Sequence, residues 1–409
     1  MKQKQTEEEI TMHSLSSYLR DFSMKIKSFT FDNLVKFSVE KAKEMLTEVL
    51  ETALEEEALE SLGVKKKGEH KKGRVGYFNS GYSRTMDTII GTIKFKRIRV
   101  VFKDKSKKFE SKIIKKYSRR DSELIYLTLI GYYTGQSCRK MAVLLQKMYG
   151  TILSPSGVSR VLKIIDKKRD EFHKRRIEKY YRYIWLDGMY VRVRNIGKFW
   201  VLLALGEDEK GKKELIDYRI SKREDELSYE EFLEDLRERG LRKPLIFVID
   251  GHRGLLSAIQ TVFPFSKIQV CVAHKQRDVL NRTSIENREK VSKDLRYVYS
   301  SKTKEEAFRR LKEFKSKWKK KEPLAVHSLK YSFSLTLTYL EFDESIQRKI
   351  RTNNPMERYI EEIRRRTKPM RIFQNLDSLD RLIYGIIEIL NINLGNGIYE
   401  RANLYFQQN

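Results

Sequence analysis

Cysteine is almost missing from this chain. Its 409 residues include only Cys138 and Cys271. Two such residues make no disulfide framework and point to a reducing compartment, the cytoplasm. Proline is also scarce, at 6 residues, while Lys, Arg and Glu are abundant. Heat-adapted proteins share that bias, but so do low-GC genomes, and it decides nothing. No apolar run approaches the ~18 residues that a membrane-spanning helix needs. The run "WVLLAL" is strand-sized, and "MKQKQTEEEI" at the N-terminus carries no signal-peptide apolar segment. Acids are outnumbered, with 56 Asp and Glu against 85 Lys and Arg, giving a net charge of +29 and a pI near 9.8. A surplus of that size implies a polyanionic partner, most often nucleic acid. What is present is a folding composition: 40% hydrophobic and 11% aromatic residues exclude a disordered chain. The length allows several domains.

Hydrophobic periodicity divides the chain. Residues 1–63 read as helical, with Leu34, Phe37, Val39, Ala42, Met45, Leu46, Val49, Leu50 and Leu54 at helical spacing and Gly63 as the stop. A helical hairpin, packed on itself or on a second subunit, is the simplest reading. Residues 64–118 alternate and are β-branched, which predicts a small β-hairpin module with turns at "NSG" and Gly91. Its outward face would carry Lys94, Lys96, Arg97 and Arg99, as a DNA-contacting ribbon or simply a solvated face. Residues 119–178 return to helix. One helix opens with Ser154 as cap and Pro155 in first position, so Ser156, Ser159, Arg160 and Lys163 lie on its polar side. The pair of helices resembles a DNA-binding helix-turn-helix.

From residue 179 to 278 the pattern is three antiparallel strands ("RYIWLDGMYVRVR", "KFWVLLALGED", "KELIDYRI"), a helix, the strand "PLIFVIDG", a second helix and the strand "KIQVCVAH". This is α/β, and its order is that of an RNase-H-like catalytic domain. Residues 279–345 read as an all-helical, highly charged insertion. Trp318 stands in its lysine run, Lys315, Lys317, Lys319, Lys320 and Lys321, and reads as a buried anchor or a base-stacking side chain. Residues 346–409 resume the α/β domain with the helix "TNNPMERYIEEIRRRTK".

Three acids stand out. Asp187 interrupts a strand otherwise built for burial, where an unpartnered carboxylate is costly. Asp250 ends an apolar strand before Gly251, the place where ligands collect in open α/β sheets. Glu357 follows Asn354, which reads as a helix cap, and Pro355; that places Glu357 third in the helix, able to close a capping box. Glu361, one turn on, is its rival, while Glu362 points elsewhere. Converging carboxylates are the hard oxygen ligands that Mg²⁺ or Mn²⁺ takes in phosphodiester chemistry.

The blocks "LDGMYVRVR", "VIDGHRGLLSAIQTVFP", "CVAHKQRD" and "TNNPMERYIEEIRRRTK", with "GYFNSGYSRTMDTIIGTIKFKRIRV" and "SPSGVSRVL" upstream, resemble the Mutator-like DDE transposases in their prokaryotic insertion-sequence branch. The similarity runs from about residue 30 to 395. It departs at Pro355, where the family has a small or aliphatic residue, and at Asp278, where it has Asn. The resemblance implies catalytic acids Asp187, Asp250 and Glu357, two Mg²⁺ or Mn²⁺ ions, and hydrolysis at transposon ends followed by transfer of the 3′-OH ends into target DNA. It implies double-stranded DNA as partner, both terminal inverted repeats and target, a homodimer or larger assembly, and a nucleoid-associated cytoplasmic protein. Cys271-x-x-His274 is the family's most distinctive mark. Alone it is a weak metal signal, since zinc takes four ligands; it reads as a structural or DNA-contacting pair near the site, with His274 also placed to assist chemistry. Lys317, Lys319, Arg364 and Arg365, with Arg366, are candidates for neutralising phosphates. A catalytically silent regulator derived from a transposase, and a junction nuclease of the same fold, are the alternatives.

Overall fold

The computed structural model describes residues 30–69, 75–115, 118–150 and 153–393. The helical reading of residues 1–29 lies outside them. Contacts divide the chain into two compact units: Met1–Gly131 with Cys138–Val161, and Tyr132–Ser137 with Leu162–Asn409.

In the first unit, helix α1 (Phe31–Leu62) is capped by Thr30, whose hydroxyl accepts from the Asn33 amide at 3.4 Å, and closes on Gly63 in the left-handed conformation. Strands β1 (Gly76–Thr88) and β2 (Gly91–Phe102) form an antiparallel hairpin. Leu54 of α1 packs with Ile93, Phe95 and Ile114, and Leu50 and Met86 cover that core. Two expectations fail here. "NSG" is no turn: the strand continues through it, with a register shift between Asn79 and Tyr82, so one extra residue is taken up as a bulge. Arg97 also leaves the outward basic face. It alternates inward with Ile93 and Phe95 and is 6% exposed, its Nη2 donating to the Ile114 carbonyl at 3.4 Å. Lys94, Lys96 and Arg99 are exposed. Helices α2 (Ser122–Tyr133), α3 (Cys138–Tyr149) and α4 (Pro155–Leu162) follow. Ser154 caps α4 as read, accepting from the Gly157 amide at 3.1 Å.

The second unit is mixed α/β. After α5 (Asp166–Lys174) come β3 (Tyr181–Val193), β4 (Gly197–Asp208), β5 (Lys213–Ser221), α6 (Glu226–Glu238), β6 (Ile246–Ile249), α7 (Arg253–Val262) and β7 (Lys267–Val270). The sheet order is β5-β4-β3-β6-β7, antiparallel among the first three and parallel from β3 to β7. Ile184, Leu186, Leu202, Ala204, Phe247 and Ile249 bury one face against Tyr229, Phe232 and Leu233 of α6 and Leu255, Ala258 and Ile259 of α7. β7 is shorter than "KIQVCVAH" suggests: it stops at Val270, and Cys271 caps the next helix.

Then come α8 (Val272–Asn281), α9 (Arg288–Tyr299), α10 (Lys304–Trp318), α11 (Pro323–Lys330), a 3₁₀ segment (Ser334–Glu341) and α12 (Glu344–Ile350). Trp318 is a buried anchor, 3% exposed, its indole donating to Asp294 at 2.7 Å. Buried Gln269 on β7 donates to the Thr336 carbonyl and accepts from the Tyr339 amide. The 3₁₀ segment thereby covers the β7 edge, which would otherwise offer unpaired backbone groups. Helices α13 (Asn354–Thr367) and α14 (Leu376–Asn393) return to the sheet, α13 against β3 and α14 against β5.

Candidate active site

Strand register sets the first two acids side by side. The β3–β6 ladder pairs Trp185 with Val248. Two residues further, Asp187 stands level with Asp250 just beyond the end of β6. The β6–β7 ladder pairs Ile249 with Val270, so Cys271 continues the row. Three successive parallel strands thus bring Asp187, Asp250 and Cys271 to one sheet edge.

Asp187 keeps an opening to solvent, yet protein surrounds most of it. Burial pushes its carboxyl up to about 8, with the neighbouring Asp250, and then Glu224 and Glu357, adding to the rise. The Gly188 amide, donating to its Oδ1 at 2.8 Å, works in the other direction. Asp250 Oδ1 accepts from the His252 amide at 2.8 Å across Gly251, whose φ of 100° is one that side-chain-bearing residues rarely adopt. That turn aims the chain away from β6 into α7.

Glu357 enters from α13, where the local reading needs correction. The cap is Asn353, not Asn354, and its side chain makes no capping bond to the helix. Pro355 follows in the first turn, and Glu357 is the fourth helical residue, its amide bonded to the Asn353 carbonyl at 3.0 Å. No capping box forms. Asn353 is fully buried and turned to the acids: its Nδ2 donates to Asp187 Oδ2 at 2.8 Å, and its Oδ1 has no partner. Glu361 is exposed and is not among the groups acting most on Asp187, whereas Glu357 is.

The Cys-x-x-His pair holds the start of that helix. Cys271 Sγ accepts from the Asn353 amide at 3.2 Å. Burial raises its thiol, so it stays protonated and is no ready thiolate ligand. His274, in the first turn of α8, puts Nε2 3.3 Å from Glu357 Oε1, while its buried Nδ1 has no partner. One residue of the pair positions Asn353 and the other meets Glu357.

Glu224 escaped the sequence reading. It precedes α6 and accepts from the Tyr229 hydroxyl at 2.9 Å. Burial raises its carboxyl, with Asp250 adding to the effect against Tyr229 and His252. The one available signal was Gly188: a glycine inside a strand often marks a close approach. Asn353 was missed because in the sequence its neighbour Asn354 reads as the cap.

Among the described residues no three His, Cys, Asp or Glu side chains stand close enough to hold a metal ion as they are. Asp187 instead accepts from Asn353 Nδ2, and Glu357 Oε1 lies 3.3 Å from His274 Nε2. Ser156, Arg160, Lys163, Lys317, Lys319, Arg364 and Arg365 are exposed, and Ser159 is half-buried. Lys317 is paired with Asp294 at 2.7 Å and Arg365 with Glu362 at 2.5 Å. No described helix is long and apolar enough to cross a membrane.

The family model "Transposase, Mutator family" matches residues 20–394. The chain is 29% identical to the transposase for insertion sequence element IS905 of Lactococcus lactis, over 80% of this chain and 84% of that one. It is 30% identical to the transposase for ISRM5 of Rhizobium meliloti, over 76% and 78% of the two chains. With the transposase for IS256 in transposon Tn4001 of Staphylococcus aureus it shares 28% identity over 88% and 93%. An acid-lined sheet edge, a strongly basic chain and a match over nearly its full length lead to one family: this chain belongs to the Mutator family of transposases.

Proposed function

We propose that this transposase cleaves DNA at the ends of an insertion-sequence element and joins the 3′-OH ends to target DNA, using Asp187, Asp250 and Glu357 to hold Mg²⁺ or Mn²⁺. The carrying observation is the register that sets Asp187 beside Asp250, with Glu357 brought to the same pair by α13. In this reading the β5-β4-β3-β6-β7 sheet is an RNase-H-like core, and the helices between β7 and α13 are its insertion. The donor set suits the ions: the groups acting most on Asp187 are carboxylates and a backbone amide, and none is a lysine or arginine. A cation would relieve the repulsion that raises Asp187. Such ions, when bound, activate a water or a DNA 3′-hydroxyl and stabilise the leaving oxygen.

The protein's own part is placement. Asn353 would keep Asp187 in one orientation, Cys271 would keep Asn353 in place, and His274 would hold Glu357 beside them. Basic side chains, among them Arg160, Lys163, Lys319 and Arg364, would neutralise DNA phosphates, and two element ends would call for two or more subunits.

The test is incubation with Mg²⁺ or Mn²⁺ and DNA carrying the element's own flanking inverted repeats. Wild type should cut at the ends, and Asp187→Ala and Glu357→Gln should lower cutting at least ~10³-fold, a loss of several kcal/mol of transition-state stabilisation. Glu361→Gln should remain active. Binding without cutting by the wild type would remove the catalytic assignment, and cutting confined to four-way junctions would replace transposase by nuclease.

A further inference from the structure

Gly188 directly follows Asp187 on β3, and its missing side chain is filled from outside the strand. A Cβ at this position would fall inside contact distance of Glu224 Oε1 and 2.9 Å from the Tyr229 hydroxyl oxygen. The Glu224 carboxylate therefore lies over the backbone next to Asp187, in space that only glycine leaves open. It is anchored there: the Tyr229 hydroxyl donates to Glu224 Oε1 at 2.9 Å, and Tyr229 itself is 1% exposed on α6. Its ring packs against that of His252, with centroids 6.0 Å apart, beyond Asp250. So Glu224 is held close enough to act on both Asp187 and Asp250, just ahead of α6, while Glu357 arrives from α13. The fully buried Asn353 Oδ1, without a partner beside Asp187, is a separate sign that this pocket is built around a group that is not protein.

We propose that Glu224 is a fourth acid of the reaction centre, a carboxylate ligand to its divalent ions, positioned by Tyr229 and admitted by Gly188. This rests on the assignment of Asp187, Asp250 and Glu357 above. It gives the motif Asp187-Gly188 a two-part meaning, since the aspartate is a ligand and the glycine makes room for another. No basic residue is needed to neutralise Glu224, because the cation does so. Tyr229 donates to one oxygen and leaves the other free for the ion.

The experiment is thermal melting of the full chain, without DNA, across a Mn²⁺ titration, with end-DNA binding measured separately in EDTA. Saturating Mn²⁺ should raise the wild-type melting temperature by about 3–6 °C. Glu224→Gln should move the Mn²⁺ midpoint at least ~10-fold higher and Tyr229→Phe about 3- to 10-fold, as supporting partners of metal ligands do. Gly188→Ala should match Glu224→Gln; if it does not fold, Glu224→Gln decides. DNA binding in EDTA should be unchanged in all three. A wild-type midpoint in Glu224→Gln, alongside a lost Mn²⁺ response in Asp187→Asn, overturns this inference alone. An unaltered response in Asp187→Asn as well overturns the metal-site reading beneath it. A loss of DNA binding in EDTA equal to the loss of Mn²⁺ response would make Glu224 merely structural and also defeats the inference.

Discussion

At Asn353 one buried residue serves three neighbours. Its carbonyl accepts the Glu357 amide, its amide nitrogen donates to Cys271 Sγ, and its side chain donates to Asp187. Asn354, the next residue, is exposed. The two asparagines look alike in sequence, but their mutational costs should differ sharply. Asn354→Ala should change stability by less than ~0.5 kcal/mol, as surface substitutions do. Asn353→Ala removes a donor to a buried carboxylate and should cost about 1–3 kcal/mol. It should also slow cleavage by freeing Asp187. Chemical denaturation of both variants checks the ranking. Equal losses would mean that Asn354 caps the helix after all. Cys271→Ala belongs with Asn353→Ala, since the thiol accepts from the Asn353 amide.

At the scale of elements, what could be read from sequence was whatever repeats or ends cleanly. The strand–helix order of the second unit, the stop at Gly63 and the cap at Ser154 follow from apolar spacing and backbone rules, and the structure has them. Asp187 and Asp250 were legible because acids in apolar strands conflict with burial. Glu224 was not: it sits in the charged stretch before α6 and gains meaning only through the Tyr229 hydroxyl and through Gly188, which is distant in sequence. The bulge at "NSG" depends on pairing register, which single-strand composition does not specify, whereas Arg97 follows the alternation of Ile93 and Phe95 against its charge. Equally hidden was the junction of α5, β5, α6 and α14. There His173 Nδ1 lies 2.9 Å from buried Asp217 and its Nε2 3.6 Å from Asp380. Arg239 also pairs with Asp217, Arg169 with Asp380, and the Tyr218 ring packs on the imidazole. Burial opposes the charged imidazole, but the bonds to Asp217 and Asp380 outweigh it and hold its pKa at about 9, raised from 6.5. A pKa raised on folding stabilises fully below the unfolded value and fades as pH passes the folded one. The melting temperature should therefore fall from pH 6.5 through about 9, by an amount on the order of a few kcal/mol in stability. His173→Gln should lower stability at pH 6 and flatten that part of the curve. A wild-type slope in the variant would place the titration elsewhere.

Over the whole molecule the governing quantity is the charge of +29. Many of the 85 lysines and arginines are paired with acids, so their count overstates what a DNA backbone would meet. Arg365 and Arg366 both pair with Glu362, and Lys317 pairs with Asp294. Among the described residues no acid pairs with Arg364 or Lys319, and both are exposed. Neutralising a phosphate releases condensed counterions, so binding falls linearly with salt on a logarithmic scale, with a slope of about −0.9 per contact. Removing a side chain that contacts phosphate should reduce that slope by about 1 and weaken all DNA sequences alike. Arg364→Ala and Lys319→Ala should each do so if DNA runs past α13 and α10. Arg365→Ala and Lys317→Ala should change it by less, because each of these side chains is already engaged by an acid and has less charge free for a phosphate. Exposed pairs of this kind contribute little to folding, so the four variants should melt within about 0.5 kcal/mol of wild type in stability. Fluorescence anisotropy with end DNA from 50 to 200 mM salt, a range over which multi-contact binding drops by about 10³–10⁵, measures all four slopes. If Arg364→Ala and Arg365→Ala shift the slope equally, the Glu362 pair opens when DNA binds. If neither shifts it, DNA does not follow the outer face of α13, and the phosphate contacts belong to other parts of the chain.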